Sequence, residues 1–170
     1  MRTARSRMPK DFSLEDRLAA CADAVESDPA SWAGAWRFWA PRESAASASN
    51  HESGKDAAAD AFRTRPSRDA SVRRETPYAH VCLDLGCGKG EYTVACAKAN
   101  PDVLFVGLDI EGVCVMRGAE RALAEGVSNV VFVFEENPDL DLSTLFAPGE
   151  LDAILLNFST PFPKKKKAPL

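Results

Sequence analysis

The sequence has no C-x-x-C pair, no apolar run of the roughly 20 residues that a membrane-spanning helix needs, and no apolar stretch behind its basic start at Arg2, Arg5 and Arg7. The first absence weighs against a zinc site or a disulfide framework. The five cysteines, Cys21, Cys82, Cys87, Cys96 and Cys114, are odd in number and scattered, which predicts a reducing compartment. The other two absences weigh against a membrane span and a secretory leader. The expectation is therefore a soluble cytoplasmic protein with neither membrane nor metal partner. Large apolar residues are also scarce from Pro41 to about Pro77, where Ser, Ala, Arg, Asp and Glu dominate. Such a stretch cannot bury enough surface to offset the entropy of ordering, and 41–77 is expected to be a disordered linker.

What is present centres on Val81 to Gly90, VCLDLGCGKG, an apolar strand running into a glycine-rich turn. A dinucleotide fingerprint requires G-x-G-x-x-G, with the third glycine allowing close packing beneath a pyrophosphate. Here the glycines are Gly86, Gly88 and Gly90, and Glu91 holds the place of that third glycine. A carboxylate at a helix start repels a pyrophosphate and tolerates a cationic ligand. S-adenosylmethionine, with its ammonium and sulfonium groups, fits better than NAD. Asp84 at the strand end is the candidate partner of the ammonium, and Gly86 and Gly88 line the approach to methionine and ribose. A plain strand-to-helix turn is the bland alternative, so the downstream sequence has to decide.

Downstream, Glu91 to Asn100 reads as a short helix stopped by Pro101, and Val103 to Leu108 as an apolar strand ending in Asp109, the candidate for the ribose hydroxyls. Glu111 to Glu125 carries Val115, Ala119, Ala122 and Leu123 at core spacing, with Gly126 in the capping place. Val130 to Phe134 is a third strand, followed by Glu135 and Glu136, either able to accept from an adenine amino group. A weak helix at Leu142 to Phe146 leads to a fourth strand, Asp152 to Asn157. The pattern predicts an α/β fold, β-α-β-α-β-α-β, the opening of a doubly wound parallel sheet whose strand-end acids share the ligand-binding edge.

Ahead of the linker, Ser13 and Asp16 have capping-box spacing, and Leu14, Leu18, Cys21 or Ala22, and Val25 fall on one helical face before Pro29. Trp32, Trp36 and Trp39 suggest a second short helix from Ser31, whose aromatic stripe is packing surface before it is a base-stacking platform. Charge is uneven: Asp84 to Thr160 holds 13 acidic and 4 basic residues, whereas Lys164 to Lys167 are four consecutive cations. A lysine run beside a cofactor crevice can contact nucleic-acid phosphates, and a solvated tail is the equal alternative.

These residues resemble the bacterial tRNA (guanine-N7)-methyltransferase family, enzymes with a Rossmann-like class I S-adenosylmethionine-dependent sheet. The resemblance is carried by LDLGCGKG (Leu83 to Gly90), NPDVLFVGLDIE (Asn100 to Glu111), ERALAEGVSNVVFV (Glu120 to Val133) and above all LNFSTPFPKKKK (Leu156 to Lys167), similar to the family's N-F-x-D-P-W-P-K signature. It implies methyl transfer from S-adenosylmethionine to N7 of a guanosine in tRNA, with Asp84, Asp109 and Glu136 contacting the cofactor and Lys164 the RNA. The family's catalytic-site aspartate falls on Thr160 and its tryptophan on Phe162. Guanine N7 has a lone pair and no proton to lose, so transfer needs positioning, and a carboxylate near the purine as it gains positive charge helps more than a hydroxyl. The family continues beyond the place where this chain stops at Leu170. The resulting expectation is three parts: a helical segment over 1–40, the linker over 41–77, and over 78–170 a partial methyltransferase domain with four parallel strands and its C-terminal strands missing. A chain so built is expected to be poorly stable alone and to show absent or very weak methyl transfer to tRNA. The alternatives are a non-catalytic S-adenosylmethionine- or RNA-binding remnant, and a methyltransferase for a small molecule or protein.

Overall fold

The computed structural model of the chain describes residues 11–41 and 73–157. Among these residues five strands, all parallel, form one sheet: β1 (Val25–Glu26), β2 (His80–Leu85), β3 (Val103–Asp109), β4 (Val130–Phe134) and β5 (Ala153–Leu155), in the order β1-β4-β3-β2-β5. From β2 the chain steps outward to β3 and β4, then returns to the far side of β2 as β5. That reversal makes the carboxyl ends of β2 and β5 the switch point of the sheet, the place where such sheets take ligands.

Among the described residues, three α-helices, α1 (Leu14–Ala20), α2 (Glu91–Ala99) and α3 (Gly112–Ala124), cover one face. There Val94, Ala97, Val115, Met116 and Ala119 meet Cys82, Phe105 and Phe132 from the strands. The other face is covered by Trp32, Trp36 and Trp39 together with Leu145 and Phe146, against Leu83, Leu104, Val106 and Val131. Being buried on both faces, β3 and β4 read as nearly unbroken apolar runs, which is why the sequence reveals them.

The departures from the sequence reading arise where tertiary contacts outweigh local pattern. The first helix ends at Ala20, short of Val25, because Val25 and Glu26 instead pair with Phe132 and Val133 on the open edge of β4, and Phe132 N donates to Ala24 O at 2.8 Å. The tryptophan segment is two 3-10 turns, Pro29–Trp32 and Trp36–Phe38, interrupted by Gly34 at φ 81°, although its three rings are buried as packing surface. The weak helix shortens to a 3-10 turn at Leu142–Thr144 and the fourth strand to three residues. Leu123 is 42% exposed, off the face that buries Val115, Ala119 and Ala122. Thr160, Phe162, the run from Lys164 to Lys167 and linker residues 42–72 lie outside the described residues.

The segment carrying the tryptophans is fastened to the sheet by two carboxylates. Glu150, 9% exposed, accepts from Gly34 N, Trp36 N and Ala147 N at 2.7, 2.8 and 2.9 Å. Asp152 Oδ2 accepts from Val81 N and from Arg37 Nη2, both at 2.8 Å, and the Val81 amide foremost holds its carboxyl down at about 2.

Close packing of α3 on the sheet depends on a slot for Phe132. A Cβ at Gly118 of α3 would lie 2.5 Å from Phe132 Cε1, one at Gly90 2.7 Å from Phe132 Cζ, and one at Gly107 of β3 2.8 Å from Phe132 Cδ1. Three glycines from three elements thus share the helix-to-sheet packing that a dinucleotide fingerprint assigns to its third glycine. Gly118→Ala gains about 1 kcal/mol of helix propensity and still is expected to destabilise the chain by roughly 1–2 kcal/mol, since the boxed ring has nowhere to move. Urea titration measures this, and the double variant with Phe132→Leu is expected to recover part of the loss.

Candidate active site

The turn after β2 folds back over the end of β3. Gly86 N and Cys87 N both donate to Leu108 O, at 2.8 and 3.1 Å. Gly86 and Gly88 take φ of 76° and 56°, conformations that glycine adopts without strain, and a Cβ on either would meet nothing within 4 Å. The inner side of the turn is therefore open, and a ligand can approach its backbone.

Asp84, one residue before the end of β2, is 1% exposed. Its Oδ2 accepts from Thr93 Oγ1 on the first turn of α2 at 2.6 Å. Burial pushes its carboxyl up; the Thr93 hydroxyl and the side chain of Asn157, just beyond β5, oppose the rise, and the charge of Asp109 adds to it. The Asn157 side chain acts on that charge as a nearby donor, yet no bond of good geometry joins Asn157 Nδ2 to Asp84 Oδ1, and neither buried atom has another partner among the described residues. A buried carboxylate oxygen in this state strongly favours a cationic donor.

Asp109 closes the next strand and is 9% exposed. Its Oδ2 accepts from Gly88 N at 2.7 Å and its Oδ1 from Glu111 N at 2.9 Å. It braces the glycine turn against the start of α3, which the sequence reading of a ribose ligand did not anticipate. Each oxygen keeps a further lone pair for a hydroxyl donor. Beyond β4, Glu135 is half-buried and turned back on its own loop, where Oε1 accepts from Asn137 N at 3.0 Å, while Glu136 is exposed. Asp84, Asp109 and Glu136 thus stand on or just past the carboxyl ends of neighbouring strands. The structure brings the first two within mutual electrostatic reach and leaves Glu136 on the rim.

Cys87 lies within the turn and is partly buried. Burial, reinforced by Asp109 and Asp84, pushes its thiol far above the ordinary range and keeps it protonated. No group of three or more His, Cys, Asp or Glu among the described residues is arranged to hold a metal ion. The arrangement presents two neighbouring carboxylates beside an open backbone cradle.

Sequence reasoning missed Thr93 and Asn157. Thr93 is wholly buried between apolar positions of α2, and a hydroxyl in such company signals a polar partner. Asn157 is the first polar residue after an apolar strand, where side chains turn toward the crevice.

A family model described as "Putative methyltransferase" matches residues 78–169. Among curated proteins, the tRNA (guanine-N(7)-)-methyltransferase of Christiangramia forsetii is 44% identical over 87 residues, 51% of this chain and 38% of that protein. The protein of the same name from Porphyromonas gingivalis is 44% identical over 85 residues, 50% of this chain and 34% of its own length. That of Streptococcus pneumoniae is 37% identical over 84 residues, 49% and 39% respectively. The matched part of the chain spans less than two fifths of these curated relatives. Among solved structures, the antibiotic-resistance methyltransferase Kmr is similar over 34% of this chain and 32% of its own, at 32% identity and a TM-score of 0.32.

Proposed function

We propose that this chain, which belongs to the putative methyltransferase family, binds S-adenosylmethionine at the carboxyl edge of its sheet and transfers the methyl group to N7 of a guanosine in tRNA, in the cytoplasm. The observation that carries the reading is the buried, unpartnered Oδ1 of Asp84 beside the open turn at Gly86 and Gly88. The residues present fit the cofactor. Asp84 takes its ammonium, the remaining lone pairs of Asp109 take ribose hydroxyls, and Glu136 on the rim accepts from the adenine amino group. The names of the curated relatives support the substrate.

S-adenosylmethionine supplies an electrophilic methyl group. The acceptor nitrogen brings a lone pair and releases no proton, so the site needs no general base. Thr160 is assigned to the acceptor side, where a hydroxyl stabilises the developing positive charge less than a carboxylate does, and Lys164 to the RNA phosphates.

Two measurements test the reading: calorimetry with S-adenosylhomocysteine, and radiolabelled methyl incorporation into tRNA that lacks N7-methylguanosine. Binding and slow incorporation are both expected, with tRNA affinity falling as salt rises. A folded sample that binds no S-adenosylhomocysteine overturns the reading. Thr160 in place of a carboxylate favours one second reading, a binding protein without transfer. Salt-sensitive tRNA binding and cofactor binding with no incorporation would establish that reading instead.

A further inference from the structure

Thr93 occupies a position that packing alone would fill with valine. It is wholly buried, and its neighbours Val94 and Ala97 belong to the apolar core beneath α2. Burying a hydroxyl is unfavourable unless it is bonded, and this one donates to Asp84 Oδ2 at 2.6 Å, the short distance of a hydroxyl facing a charged acceptor. The bond fixes which oxygen of Asp84 is satisfied inside the fold. The other, Oδ1, has no hydrogen bond of good geometry among the described residues, and the Asn157 amide is the one nearby donor, its Nδ2 likewise without a well-formed bond.

We propose that Thr93 is a positioning residue for the amino-acid end of the cofactor: its hydroxyl locks the Asp84 carboxylate so that Oδ1 accepts from the ligand's ammonium. This rests on reading the site as one for S-adenosylmethionine. Thr93 acts through Asp84 and touches no ligand. Its effect is therefore confined to ligands that carry the ammonium, and a nucleoside with the same adenine and ribose but no amino-acid arm is indifferent to it.

The test uses calorimetry on the full chain with two probes, S-adenosylhomocysteine and 5′-methylthioadenosine, on the unaltered chain, Thr93→Val and Thr93→Ser. Thr93→Val is expected to bind S-adenosylhomocysteine about tenfold more weakly, the scale of one charged hydrogen bond misplaced, and 5′-methylthioadenosine unchanged within about twofold. Thr93→Ser, which keeps the hydroxyl, is expected to restore affinity to within about threefold of the unaltered chain. Thr93→Ala also lacks the hydroxyl and carries the test if Thr93→Val does not fold. Equal losses for the two ligands would mean that Thr93 merely supports the turn, and would overturn the proposal. Unchanged affinity for S-adenosylhomocysteine in Thr93→Val would overturn it while leaving the functional reading intact. An unaltered chain that binds neither probe would overturn that reading, and the proposal with it.

Discussion

Asp84→Asn is expected to weaken S-adenosylhomocysteine binding about a hundredfold while leaving the unliganded chain at least as stable as before. The substitution keeps the carbonyl oxygen that accepts from Thr93 Oγ1 but places an amide N–H₂ where Oδ1 now stands. A donor then faces the ligand's ammonium, and the loss of a charged hydrogen bond, roughly 1.5–3 kcal/mol, corresponds to ten- to hundredfold in affinity before the mismatch adds its share. Stability moves the other way. Burial raises the folded-state pKa of Asp84, with Asp109 adding to the rise, so the ionised carboxylate is a burden on the fold at neutral pH. A raised acid contributes stability that is fully present below its unfolded value, about 3.9, and that is lost as pH climbs through the folded value. The advantage of Asp84→Asn should therefore be absent near pH 3.5 and grow toward pH 7. Calorimetry and urea titrations at several pH values measure both arms. Equal affinity in the variant would remove Asp84 from the site, and a variant less stable at pH 7 than at pH 3.5, relative to the unaltered chain, would remove the electrostatic argument.

That opposition between binding and stability explains why Asp84 is visible in the sequence. An acid inside VCLDLG interrupts an otherwise apolar strand, and only a ligand or a buried partner accounts for it. β2, β3 and β4 were legible for a related reason: a parallel strand buried on both faces must be apolar throughout, so its signal is local and continuous, whereas the exposed edge strand β5 forms over only three residues of its apolar run. The glycine turn and α3 were legible because turn chemistry and helical period are also local.

What stayed hidden depends on contacts distant in sequence. Nothing around Val25 indicates that the edge of β4, more than a hundred residues later, competes for it and ends α1 early. Gly107 and Gly118 look incidental until Phe132 is placed between them and Gly90. Asp109 stood where a ribose acid is expected, but the sequence could not show that both its oxygens already hold Gly88 N and Glu111 N. Its task as a brace is structural and its task as a ligand is added to it. Thr93 had a weak signal, a hydroxyl on a buried helical face, which acquires meaning only once Asp84 is found 2.6 Å away. The family resemblance reached Thr160 and Lys164 by motif alone, since both lie outside the described residues.

The tryptophan segment is where stability is expected to be most concentrated, and Trp36→Ala is expected to cost about 3–5 kcal/mol, the usual range for an aromatic ring removed from a core. Trp36 is 0% exposed, with ring centroids 6.1 Å from Trp32 and 5.4 Å from Phe146, and its Nε1 donates to Leu145 O at 2.7 Å. Truncation leaves a cavity between the two rings and strips a buried carbonyl of its donor. It also loosens the backbone that Glu150 holds through Gly34 N and Trp36 N, the anchor of the layer over Leu83 and Val106. Against a total of about 5–15 kcal/mol for a typical domain, this loss brings the chain close to unfolding. The crevice lies at the carboxyl edge, with Asp84 directed toward α2 on the opposite face, so the intrinsic affinity of the folded variant for S-adenosylhomocysteine should be unchanged. Ligand at a hundred times its dissociation constant should then restore about 2.7 kcal/mol to the unaltered chain and to Trp36→Ala alike. Urea titration with and without ligand measures both quantities. A loss below about 1 kcal/mol would show that the tryptophan layer is not what secures this face, and a smaller ligand gain in the variant would show that the two faces of the sheet are coupled.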